Sequence, residues 1–128
     1  MRPEVPGFIL DASALRVSRH SLFARTLISR YARQDRPIVV PAAALVAAAG
    51  ADWIDPAELD APAITVTALT QAIAPAVALI MAGASAAPLV ETAHTAYEAV
   101  ATGYPVLTAD RALYEKLAVR IDLEELPE

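Results

Sequence analysis

Two short apolar runs, one near each end of the chain, each finish in an acid, and together they restrict the fold more than any other feature. Phe8-Ile9-Leu10 runs into Asp11, Ala12 and Ser13. Such a run reads as a buried strand with a polar tip. Pro105-Val106-Leu107 runs in the same way into Thr108, Ala109 and Asp110. In sheets of parallel strands, groups just beyond the carboxyl ends line the crevice where ligands bind. If these strands are neighbours, Asp11 and Asp110 converge on one point.

Between them, strands and helices alternate. Ser21 to Gln34 places Leu22, Phe23, Leu27, Ile28 and Tyr31 at helical spacing, and Ser13 or Ser18 is a candidate cap. Pro37-Ile38-Val39-Val40 reads as a second strand. Pro41 then suits the first turn of an uncharged helix, Ala42 to Ala49, ending at Gly50. An acidic connection from Ala51 to Ala63 follows, with a turn of helix expected at Pro56-Ala57-Glu58-Leu59. Ile64-Thr65-Val66-Thr67 is the third strand, from its β-branched residues. Thr70 suits the cap of a helix running to Gly83, and Pro88 opens another that ends at Gly103. The Val106 strand, a helix from Arg111 to Leu117 and a last strand, Val119 to Asp122, complete the order. Strands separated by helices imply parallel pairing and a three-layer α/β/α sandwich with a central parallel sheet.

The 128 residues fit a single domain, spanning 1–128, which buries about two thirds of its unfolded surface. The chain is 56% hydrophobic, mostly through alanine, which suits closely packed helices. Its net charge of −5 argues against nucleic-acid affinity over the whole surface. The charge is uneven, however: six of the ten cations lie between Arg16 and Arg36. Arg16, Arg19 and Arg25 are therefore candidates for contacting RNA phosphates, against the plainer reading of a solvated helix face. With no cysteine, thiol catalysis, zinc-thiolate sites and disulfides are excluded, and a reducing cytoplasm is compatible. The opening residues lack the apolar core of a signal peptide, so a cytoplasmic location is expected.

No residue from Ala61 to Val90 is charged. That length is formally enough for a membrane span, but Pro62, Pro75 and Pro88 interrupt it, and it divides into a strand and a helix. No membrane association is expected. Trp53 reads as a packing anchor rather than a base-stacking platform. Gly83-Ala84-Ser85 lacks the preceding strand that a nucleophile elbow requires.

Two carboxylates at neighbouring strand tips suggest a magnesium or manganese site, because such ions take hard oxygen ligands and activate water for attack on phosphodiesters. The alternative is that Asp11 and Asp110 cap the helices after them. A receiver-like signalling domain shares the α/β outline. It is disfavoured by a single acid after the first strand, no aspartate after a middle strand and no lysine after a late one.

Leu10-Asp11-Ala12-Ser13, Thr108-Ala109-Asp110, the Ala96, Ala99 and Gly103 pattern and the element order together resemble a PIN domain over almost the whole chain. The resemblance implies an α/β sandwich and a magnesium- or manganese-dependent ribonuclease of the type found in bacterial toxin–antitoxin pairs. It also implies RNA as substrate, an antitoxin-like protein partner and a homodimer. Asp11 and Asp110 would be metal ligands, with Ser13 and Thr108 as supporting hydroxyls. The chain departs from the pattern in two places. The family's second acid should fall near Val46 or Ala47, where none exists; the third aligns with Thr92, leaving Glu91 as the substitute. The catalytic set is then Asp11, Asp110 and Glu91. Weakened metal affinity, or a catalytically inactive binding and regulatory protein, follows from the missing acid.

Overall fold

The structure is a computed structural model and describes residues 7–59 and 64–127. Five strands form one all-parallel sheet: β1 (Phe8–Leu10), β2 (Ile38–Pro41), β3 (Ile64–Thr67), β4 (Val106–Thr108) and β5 (Leu123–Glu125). Six helices flank it: α1 (Ala12–Ser18), α2 (Leu22–Arg33), α3 (Ala42–Gly50), α4 (Ala74–Ala82), α5 (Val90–Thr102) and α6 (Ala112–Glu115). A 3₁₀ turn at Pro56–Leu59 stands where a turn of helix was expected in the connection. The expected three-layer α/β/α sandwich is therefore the observed architecture.

Alternation along the buried strands builds both layers. Phe8, Leu10, Ile38, Val40 and Leu107 face a core closed by Ala14 and Leu15 of α1, Ala24 of α2 and Ala48 of α3. Ile9, Val39 and Val106 point the other way, towards Ala99 of α5 and Tyr114 of α6. This is the two-residue period of a strand buried on both faces. Alanine at the helix contacts lets the helices approach the sheet closely, so the aliphatic strand residues fill the space between.

Strand order is β3-β2-β1-β4-β5. The chain builds outward from β1 through β2 to β3, then returns to the other side of β1 to lay down β4 and β5. The reversal falls between β1 and β4, where Ile9 is in register with Val106 and Leu10 with Leu107. Helices leave the two strand ends in different directions at such a point and open a crevice. Asp11 and Asp110 both follow these strand ends.

Several boundaries differ from the sequence reading. The chain re-enters a helix immediately after β1, and Asp11 is the cap of α1: its carboxylate accepts the Ala14 amide at 2.8 Å. Where one helix was expected before β2 there are two, and the second, α2, begins one residue after Ser21, whose hydroxyl accepts from the Ala24 amide. Ser13 and Ser18 cap neither helix. The last strand is Leu123–Glu125, not Val119 to Asp122. A parallel strand must start at the same end of the sheet as β4, so the chain leaving α6 at the carboxyl edge needs the residues through Asp122 to return. The Val106 amide then bonds the Asp122 carbonyl and starts the ladder. Ile121 instead packs against the second core.

The uncharged stretch divides as expected into β3 and α4, its residues 61–63 lying outside the described ones. Among the described residues no helix is long and apolar enough to cross a membrane. Gly103 ends α5 with a φ of 75°, the left-handed conformation that glycine adopts without strain.

Candidate functional site

A cleft of about 260 Å³ opens over the carboxyl ends of β1 and β4. Asp11 and Ser13 line it from the start of α1, Asp110 and Tyr114 from the end of β4 and α6, and Glu91 and Thr92 from the start of α5. Ala47 of α3 and Trp53 also contribute to its walls. The three acids expected to act together, Asp11, Asp110 and Glu91, thus share one cleft.

Asp11 is the most constrained of them, with only 3% of its surface exposed. Its Oδ1 accepts from the Ser13 hydroxyl at 2.7 Å and the Ala14 amide at 2.8 Å; its Oδ2 accepts from the Tyr114 hydroxyl at 2.7 Å. The proton directions follow by counting donors. Ser13 has one proton, committed to Asp11, so the 3.1 Å contact with Thr108 requires the Thr108 hydroxyl to donate to Ser13 Oγ. Ser13 Oγ also accepts the Ala109 amide at 2.9 Å, and Thr108 Oγ1 accepts the Asp110 amide at 3.0 Å. A single polar chain therefore runs from the Asp110 backbone through Thr108 and Ser13 to Asp11. Ser13 and Thr108, the two hydroxyls named with these acids, are both members of that chain.

Tyr114 is the site residue that the sequence reading missed. Burial, followed by the neighbouring Asp11 carboxylate, raises its pKa well above the ordinary value of 10. The phenol consequently remains a hydrogen-bond donor throughout the neutral range. Its signal was available: an aromatic four residues after Asp110 returns to the same side of a helical turn.

Asp110 behaves differently. It is exposed, and α6 has Arg111 at its cap position, with no side-chain cap bond. The capping alternative thus holds for Asp11 and not for Asp110. The Asp110 side chain lines the cleft, and among the described residues its carboxylate has no hydrogen-bond partner.

The opposite wall is neutral where acids were sought. Ala47 lines the cleft, while the neighbouring Val46 is 71% exposed on the outside of α3. Thr92 is buried on the cleft wall and Glu91 beside it is half-buried. Glu98, two turns along α5, is directed elsewhere: its Oε1 lies 3.3 Å from His94 Nε2 in a buried pair. Burial lowers the His94 pKa, with Glu98 opposing the shift.

Of the three candidate RNA-binding arginines, Arg16 alone lines the cleft, with its guanidinium 5.4 Å from the Trp53 ring centroid. Trp53 also packs against the first core, so it anchors the wall that it lines. Arg19 turns away to the Asp52 carbonyl and to Glu58, 3.9 Å away. Arg25 lines a separate hollow with Arg19 and Glu58. Ser85 lies in the exposed loop after α4, where its hydroxyl donates to the Lys116 carbonyl.

The donor set is compatible with a hard divalent ion. Magnesium is commonly held by one or two carboxylates with water completing its coordination. Asp110 and Glu91 each bring a carboxylate to the cleft, while Asp11 has one lone-pair position left beside its three hydrogen bonds. Among the described residues no three acidic or histidine side chains form a close cluster, so water would supply most of the ligands.

No protein-family model matches the chain, and no curated protein matches it. The functional reading therefore rests on the cleft itself and on the motifs quoted above.

Proposed function

We propose that this chain is a PIN-like domain and a magnesium- or manganese-dependent ribonuclease of the toxin type, slowed by a reduced set of acids. The observation that supports this most is the convergence of six residues on one cleft. Asp11, Asp110 and Glu91 line it with Arg16, together with Ala47 and Thr92, the positions where the resemblance expects two further acids. A divalent ion held by Asp11 and Asp110 would supply Lewis-acid polarisation of a phosphate and an activated water. Asp11 is aimed for this by Ser13 and the α1 amide, so its orientation requires no rearrangement of the backbone. Glu91, which lines the same cleft, would orient an attacking water through its carboxylate. Arg16 presents a guanidinium to a phosphate at the same wall.

The test is cleavage of a fluorogenic single-stranded RNA in manganese by the wild type and Asp110→Asn. Slow metal-dependent cleavage that is lost in Asp110→Asn is expected. Absence of cleavage in the wild type, or equal cleavage by the variant, would overturn the ribonuclease reading.

A second reading, a PIN-like protein that acts through protein partners, is favoured by two exposed apolar helix faces. Val46 of α3 and Leu79 of α4 are each more than 70% exposed on helices that carry no charge. Such faces suit a second subunit or an antitoxin-like partner. Light scattering at micromolar concentration distinguishes a homodimer, which this reading expects, from a monomer.

A further inference from the structure

We infer that Trp53 is a stacking platform for the substrate: an unpaired nucleobase beside the phosphate held in the cleft lies against the indole and the Arg16 guanidinium over it. This rests on the ribonuclease reading and assigns the part of the substrate that the acids do not touch. Packing accounts for only part of this ring. Trp53 packs against the first core, yet it is half-buried and lines the same cleft as Asp110 and Glu91. Arg16 lines that cleft too, with its guanidinium 5.4 Å from the ring centroid. Indole and guanidinium are both planar and delocalised, the two kinds of side-chain surface on which unpaired bases stack.

The backbone fixes the platform. α3 ends at Gly50, and the amides of Ala51, Asp52 and Trp53 turn back to the carbonyls of Ala47, Ala49 and Ala48. Asp52 takes a φ of 60°, which few residues other than glycine tolerate, aspartate among them. Arg19 donates to the Asp52 carbonyl at 3.4 Å. An indole seated on a core and preceded by this turn loses little freedom when a base stacks on it. The rest of the cleft suits the adjoining phosphate, with Arg16 as a cation and the acids as the ion-holding side. Its volume of about 260 Å³ suits one nucleotide of an unpaired strand rather than a duplex. Every base has a π-face, so the platform selects single strands and not a sequence.

The chain has one tryptophan, so tryptophan emission reports this ring alone. The experiment titrates a short oligouridylate, and an abasic ribose–phosphate oligomer of the same length, into the full chain in calcium buffer. Quenching and calorimetric affinity are compared for wild type, Trp53→Phe and Trp53→Leu, with urea denaturation to verify that each core is intact. Oligouridylate is expected to quench the wild type, and the abasic oligomer to leave it unchanged. Trp53→Leu is expected to bind oligouridylate about tenfold more weakly, the worth of one base–aromatic stack, and the abasic oligomer as wild type does. Trp53→Phe keeps a ring and most of the affinity. Wild-type binding of oligouridylate without quenching, or equally tight binding of the abasic oligomer, overturns the platform alone and needs no variant to fold. Unchanged affinity in Trp53→Leu does the same. Failure of the wild type to bind either oligomer overturns the ribonuclease reading, and the platform with it.

Discussion

On the β1–β4 side of the cleft, Asp11, Ser13, Thr108 and Tyr114 form a buried chain in which each hydroxyl proton has an acceptor. Across from it, α3 and α5 present Ala47 and Thr92 where acids were expected, which leaves Glu91 to carry the charge of that wall. The first wall has all that is needed to aim an acid; the second supplies little to share the charge of a cation. Orientation and charge are therefore separable properties of this site. Because fewer anionic ligands leave more positions to water, the expected result is weak cation binding at a well-ordered carboxylate.

The largest effect is expected from removing the centre of the ordered wall. Asp11→Ala leaves the Ser13 hydroxyl, the Ala14 amide and the Tyr114 hydroxyl without their acceptor. At about 1 kcal/mol or more per orphaned donor, urea denaturation should show a loss of about 3 kcal/mol. A loss close to zero would mean that the chain of hydrogen bonds is not structural. Ser13→Ala strands the Ala109 amide and the Thr108 hydroxyl, and should lose about 2 kcal/mol by the same measure.

The neutral wall can be altered in the opposite direction. Ala47→Glu adds an anion at the cleft, and unit charges ~4 Å apart attract by about 1 kcal/mol in water and more where water is partly excluded. Manganese binding should tighten about tenfold, with a smaller loss of stability in metal-free buffer from the added repulsion with Asp11. Unchanged affinity would mean that Ala47 is too far from the ion to matter.

A smaller effect is expected behind that wall. His94 is fully buried, its Nδ1 accepts the Ala43 amide at 3.4 Å, and Glu98 sits beside its Nε2. Burial lowers its folded pKa below the ordinary 6.5. The unfolded chain then takes up the proton first as pH falls, so this contribution is complete above about 6.5 and is lost below it. His94→Gln, which can still accept from Ala43, should flatten the acid limb of a stability–pH profile measured by denaturation. An identical limb would remove His94 from the account.

What was legible in the sequence follows the same division. The β1 and β4 strands and their acids were readable because a short apolar run ending in a polar tip has few other uses. Parallel pairing followed from the alternation of strands and helices, and it brought Asp11 and Asp110 together. The uncharged positions at Ala47 and Thr92 were also readable, as departures from a pattern. Tyr114 was not read, because its role depends on α6 folding back over β1, a contact across 103 residues of sequence. The last strand was misplaced because Val119 and Ile121 have the stronger strand propensity. Its position is set instead by the ladder to β4 and by burial of Leu126. Arg19 and Arg25 were grouped with Arg16 by proximity in sequence, but they line a separate hollow while Arg16 lines the cleft.

The most direct test of the central claim compares manganese titrations of the wild type and Asp110→Asn. Asp110 is exposed and caps no helix, so its substitution should leave denaturation within about 0.5 kcal/mol of wild type. The account predicts weak, saturable binding by the wild type that disappears in the variant. Binding of equal strength in both proteins, or none in the wild type at millimolar metal, would contradict it.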